Sequence, residues 1–206
     1  MSKYLSFAGW TAVWTMVLYF LLHNVIRYFD PTFSIYTPDF SSIAPFLVIH
    51  IAMGTIALII GPFQFIPSLR KKYTNVHRLM GKIYLTAVLI GSLSGAYLAI
   101  FDNIIRKEEF MFATGILGLA SAWFISGAMA FWAIRKRNFV QHREWMVRCY
   151  VVTFAFITFR ILYYSLLAIE GFKYKDDIGG LCAWFCWSVP LLVTEVILQA
   201  RKISRS

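Results

Sequence analysis

Six stretches of the chain stay apolar for about twenty residues or more: 8–28, 44–66, 76–101, 111–134, 145–168 and 180–200. Polar and charged residues gather in the short connections between them. A helix rises about 1.5 Å per residue and the hydrocarbon core of a bilayer is about 30 Å thick, so each stretch is long enough to cross. The pattern predicts an all-α fold: a polytopic membrane helical bundle of six transmembrane helices, forming a single transmembrane domain over 1–206. No connection has room for a soluble domain. The first stretch follows Lys3 much as a signal peptide would, but it is too long for an h-region. "LLHNVIRYFDP" follows it in place of a small-residue cleavage site, so it reads as a retained span.

Composition agrees with the pattern. The chain is 59% apolar and 18% aromatic, with a mean hydropathy of +0.65, far more apolar than a soluble domain. Charge then sets the orientation. An even number of spans puts both termini on one side, and that side collects 14 of the 20 Lys and Arg, including Arg70, Lys71 and Lys72, the run 135–137, and Arg201 and Lys202. The opposite side has few basic residues, offset by eight carboxylates. The positive-inside rule predicts cytoplasmic termini. The net charge of +10 is thereby a topology signal; nucleic-acid binding would need a basic face on a soluble module.

Depth sorts the four histidines into two groups. His23, near the end of span one, and His50, two turns into span two, lie towards the outer surface. His77 opens span three and His142 sits just ahead of span five, both at the inner surface. Each pair comes from two helices at one depth, an arrangement for holding a metal between helices. "HIAMG" at 50–54 and "HRLMG" at 77–81 share one spelling. On a helix, i and i+4 share a face, which puts Gly54 beside His50 and Gly81 beside His77. Gly61 and Gln64 extend the first stripe, and Gly91 and Gly95 the second. A macrocycle held by imidazole needs a bare helix surface beside its ligand, so haem b is a coherent reading. The competing reading is helix packing, since "GSLSG" at 91–95 is a small-xxx-small motif. Copper is a lesser alternative: Met53, Met80 and Met146 each follow a histidine within four residues, and thioether with imidazole suits Cu(I), though methionine also fills cores.

No C-x-x-C-H, H-E-x-x-H or phosphate-binding loop occurs. Cys149, Cys182 and Cys186 read as buried thiols, with redox pairing of the C-x-x-x-C pair, Cys182 and Cys186, a minor alternative. Arg160 lies two thirds of the way along span five, where a guanidinium is costly without a partner. It reads either as a clamp for an anion (haem propionate, quinone oxygen or lipid headgroup) or as a structural donor to helix carbonyls. Arg148 and Glu195 both lie in the inner halves of their spans and are expected to pair, chiefly for structure. Gln64, beside Pro62, reads as a polar end of span two.

"HIAMGTIALIIGPFQF", "VHRLMGKIYL", "QHREWMVRCY" and "FITFR" follow one another at the spacing of an uncharacterised bacterial multi-pass membrane family of unknown function, which this chain resembles over about 48–160. The resemblance implies that His50, Gln64, His77, His142, Trp145, Arg148 and Arg160 form the family's site. It supplies no activity, and His23 lies outside it. A looser similarity is to the diheme cytochrome b transmembrane reductases, which place histidines near both membrane surfaces. Their helices often carry two histidines each, and none here does. The expectation drawn from these residues is a haem b-binding electron-transfer protein, with His77 and His142 as inner ligands, His23 and His50 as outer candidates, and Arg148 and Arg160 for anionic groups. Its partners would be the lipid bilayer and a quinone or larger membrane complex, with no nucleic acid. The alternative is a non-redox accessory or assembly subunit. Whether the chain is an enzyme is left open.

Overall fold

The computed structural model describes residues 3–30, 42–107, 109–169 and 177–204. They are helical, and six stretches are long and apolar enough to cross a membrane. Helix α1 (Lys3–Phe20) relaxes into a π-helical turn (Leu21–Val25) and a 3-10 turn (Ile26–Phe29). Helix α2 spans Ala44–Gln64, and the short α3 (Pro67–Lys72) lies between it and α4 (Thr74–Leu98), which continues as π-helix to Arg106. Helix α5 spans Phe110–Arg135, α6 Phe139–Thr153, α7 Ala155–Leu167 and α8 Ile178–Ile203. Large apolar side chains such as Leu93, Ile125, Phe185 and Leu192 stay exposed, as lipid-facing residues do.

Two boundaries have local causes that position the site. Helix α5 closes with the Asn138 amide donating to the Ala133 carbonyl at 2.9 Å and the Arg137 amide to the Ile134 carbonyl at 3.0 Å. Arg137 takes φ 58° there. This is a Schellman closure with an arginine where glycine is usual. Asn138 then caps α6, its side chain accepting from the Gln141 amide at 3.1 Å. So α6 starts two turns before the apolar run does, and His142 sits in its first turn instead of ahead of the span. The span-five helix breaks at Phe154, where the Thr153 hydroxyl donates back to the Cys149 carbonyl at 2.9 Å; such back-bonding bends helices.

The helix pairings read as registers. Across α2 and α4, His50 lies against Gly95, Met53 against Gly91, Gly61 against Tyr84 and Gln64 against Gly81. One set of numbers rises as the other falls, so these helices are antiparallel. Met111 against Gly180, Gly115 against Ala183 and Gly118 against Trp187 rise together, so α5 and α8 are parallel. Both follow from six alternating crossings. The core sits between α2, α4, α5 and α6: Ala57, Tyr84, Ala87, Val88, Trp123, Ala130, Met146, Cys149 and Val152 are buried together.

Candidate functional site

The glycines of the two repeats receive side chains from neighbouring helices. A Cβ on Gly54 would meet Phe156 Cζ at 2.8 Å, and one on Gly91 would meet Trp123 Cζ3 at 2.8 Å. On Gly61 it would fall against Cδ2 and Cε2 of Tyr150, and on Gly95 against His50 Cε1 at 2.9 Å. Gly81 differs: its nearest neighbour is the Gln64 Oε1 atom at 3.2 Å, and no ring covers it. Every bare face but one is therefore filled by the protein's own rings.

Imidazole geometry separates the histidines further. His142 Nδ1 donates to the Ala130 carbonyl at 2.8 Å, a contact set up by the tight α5–α6 turn. A carbonyl only accepts, so in the neutral ring Nε2 keeps its lone pair. His50 Nδ1 does the same to the Gly91 carbonyl at 2.8 Å, with its ring seated on Gly95. His23 Nδ1, in the π-helical turn after α1, bonds the Tyr19 carbonyl at 3.0 Å, and its exposed ring stacks on that of Tyr19. His23 and His50 thus face different surroundings: one looks out of the bundle and the other into α4. His77 is half-buried, and its Nδ1 is buried without a hydrogen-bond partner among the described residues.

His77 and His142 are near enough to interact electrostatically. The seam below them explains why. Tyr84 lies two turns along α4 from His77, and Cys149 two turns along α6 from His142. The Tyr84 hydroxyl donates to Cys149 Sγ at 3.3 Å and shares a hydrogen bond with Thr153 Oγ1 at 2.9 Å. Trp123 Nε1 donates to the same Thr153 oxygen at 2.8 Å. This closed polar cluster fixes the register of the two parallel helices about 10 Å below the histidines. Tyr84 lies in the "VHRLMGKIYL" block but was given no role there, and Trp123 and Thr153 carry no motif.

Gln64 is 6% exposed, and its Nε2 also lacks a partner among the described residues. Two orphan polar atoms thus lie near Gly81, on Gln64 and on His77. Arg148 is differently placed. Its Nε and Nη2 donate to Glu195 Oε2 at 2.8 and 2.6 Å, and its guanidinium lies 4.7 Å from the Trp145 ring. Glu144 Oε2 stands 3.8 Å from Arg148 Nη1 and 2.8 Å from Lys202 Nζ. The expected ion pair is present and widened to four alternating charges that tie α6 to α8. Glu144 was signalled only by its i, i+4 spacing from Arg148. Met53 and Met146 pack in the core, Met146 at 5% exposure, and the three cysteines are buried and free. Among the described residues no three of His, Cys, Asp or Glu converge on one metal position.

At the basic ends of α2, α4 and α6, the Gln64 amide lies against Gly81, and the His77 imidazole is close enough to His142 to interact with it electrostatically. A site of two imidazoles and no thiolate suits haem iron, which takes four of its ligands from the macrocycle. Of the four histidines, His77 and His142 are the pair that could hold such a group, because the faces flanking His50, on Gly54 and Gly95, are full.

Fold and site together define a six-span helical integral membrane protein with a histidine-bearing polar site at its basic end. The chain belongs to the family described as Predicted membrane protein (DUF2306), which matches residues 47–198. No curated protein and no solved structure matches it.

Proposed function

We propose that the protein is a membrane electron carrier that binds one haem b at the cytoplasmic end of its bundle, through His77 and His142. The observation that carries this reading is the His142 Nδ1 bond to the Ala130 carbonyl. Metal-ligating histidines are oriented in this way, by a carbonyl or carboxylate on the other ring nitrogen. Gly81 leaves room beside His77, and Arg70 and Arg78 lie close enough to interact with it electrostatically, so they supply cations for propionates. Bound there, the haem would supply one-electron chemistry. The chain's own part is to hold both rings at one depth and to exclude water below them with the Tyr84–Thr153–Trp123 cluster. A quinone head is the lipid-soluble partner this location suits, with the free Gln64 amide as a donor to a carbonyl.

A second reading is a non-redox accessory or assembly subunit, and the ring-filled faces of Gly54, Gly61, Gly91 and Gly95 favour it. Copper has less support, since Met53 and Met146 serve packing. The deciding test is Gly81→Leu with His77→Ala and His142→Ala. If haem is bound, each variant loses it while remaining a folded, monodisperse bundle. If packing is the whole role, Gly81→Leu lowers stability with no cofactor to lose.

A further inference from the structure

At the end of the bundle opposite His77, an arginine stands inside a span. Arg160 lies seven residues before α7 ends at Leu167, about 10 Å below that end. Phe156 and Ile157, one turn earlier on the same face, both point inward. The Phe156 ring fills the face of Gly54, and Ile157 is 4% exposed and packs with Val17 and Leu58. Arg160, itself half-buried, therefore overhangs the bundle interior and does not lie on its lipid face. Helix α2 runs the other way, so His50 lies one turn beyond Gly54 towards the same end. The His50 ring centroid is 5.4 Å from that of Phe156. His50 is six residues inside α2, which begins at Ala44, or about 9 Å deep. Arg160 and His50 thus flank Phe156 at one depth, on two facing helices.

The polar accounting at this level is incomplete. His50 Nδ1 is committed to Gly91, which leaves Nε2 to accept. The Arg160 guanidinium lies 5.8 Å over the Phe159 ring, and among the described residues it makes no ion pair or hydrogen bond. An arginine at this depth is costly unless it meets an acceptor, and its length lets the head reach towards the interface. A planar guanidinium fork matches the oxygens of phosphate or carboxylate. Stacked rings stand on both sides, Phe46 on Tyr97 at 4.0 Å and Phe159 with Tyr163 at 6.0 Å, as in an interfacial aromatic belt.

We infer that Arg160 and His50 form a second site that takes the oxyanion of an amphiphile's head group. Arg160 donates to the anionic oxygens, and His50 Nε2 accepts from a hydroxyl of the same head. The site shares no residue with His77 and His142, so it stands or falls independently of the haem reading.

The test compares wild type, Arg160→Lys and Arg160→Gln in nanodiscs of phosphatidylglycerol, which offers both phosphate and hydroxyl, and of phosphatidylcholine. Retained phospholipid is counted by native mass spectrometry and stability by thermal unfolding. Wild type should retain phosphatidylglycerol at least tenfold better than Arg160→Gln, with Arg160→Lys between them, and only wild type should gain its full stability in phosphatidylglycerol. Equal retention and equal lipid response in all three proteins would overturn the site. Inorganic phosphate added to delipidated wild type separates the sources of the oxyanion. Stabilisation by phosphate alone keeps the oxyanion site and assigns a soluble ligand; a response to lipid only assigns the amphiphile. Should Arg160→Gln not fold, wild type decides by itself: equal retention of the two phospholipids overturns the inference.

Discussion

Gly61 and Gly81 both face a neighbouring helix across the α2–α4 contact, yet they should respond differently to a single methyl group. A Cβ on Gly61 collides with the Tyr150 ring, and Tyr84 Cε2 stands 3.3 Å away on the other side. Tyr84 is fully buried and held by Thr153 at 2.9 Å, so the displacement falls on the half-buried Tyr150 ring, packed against Phe65 and Phe154. Overpacking of this kind costs about 1–3 kcal/mol, and the gain in helix propensity from Gly to Ala, roughly 1 kcal/mol, offsets part of it. The net expectation for Gly61→Ala is a loss of up to about 2 kcal/mol, or up to roughly 8 °C in the unfolding midpoint. A Cβ on Gly81 meets only the tip of the flexible Gln64 side chain, at 3.2 Å. Gly81→Ala should therefore stay within about 1 kcal/mol of wild type or gain slightly. Thermal unfolding in detergent, followed by size-exclusion recovery, separates the two. A Gly81→Ala protein as unstable as Gly61→Ala would refute the assignment of these glycines to filled and open faces.

Glu195→Ala strands the buried Arg148 guanidinium and should cost about 1–3 kcal/mol, less than for a fully buried pair because Glu195 is partly exposed and Glu144 stays close. The double change with Arg148→Met should recover at least half of that loss in the same unfolding assay, whereas equal losses would show that the two residues do not interact. Arg137→Gly should stabilise by about 1 kcal/mol, because glycine takes φ 58° without strain; a loss on chemical unfolding would contradict the Schellman closure. Reporters fused after Ser206 or within 70–75 should be cytoplasmic, and one within 103–108 external, given the one-sided distribution of basic residues. A C-terminal reporter active only outside would invert every depth assignment.

Hydropathy located all six spans, and α2, α5 and α8 begin and end within three residues of the apolar runs. The error at α6 is instructive. "FVQHRE" is too polar to count as a span, but a helix starts where its cap is, and Asn138 supplies that cap. Counting along each span put His77 and His142 at one level, and the two rings do lie near enough to interact electrostatically. The direction in which each helix faces was not readable. The same counting put His23 and His50 at one depth, yet His23 faces outward on the turn after α1 and His50 into α4, because a helix apolar all round carries no stripe to orient it. The repeated spacing of histidine and glycine was visible from the start. Its partners were not, since a glycine's receiving role depends on which ring a neighbouring helix brings to it. The Tyr84–Thr153–Trp123 cluster escaped for the same reason: three common residues from three helices become a network only when packed.

Whether His77 and His142 hold a haem is decided by an absorption spectrum of the detergent-purified protein from haem-replete cells. A haem on these two rings gives a Soret band that shifts and sharpens on reduction and about one iron per chain by elemental analysis, both lost in His77→Ala and His142→Ala. A stable, colourless wild type without iron would contradict it, and would leave the two histidines as part of a bundle that works without a redox centre.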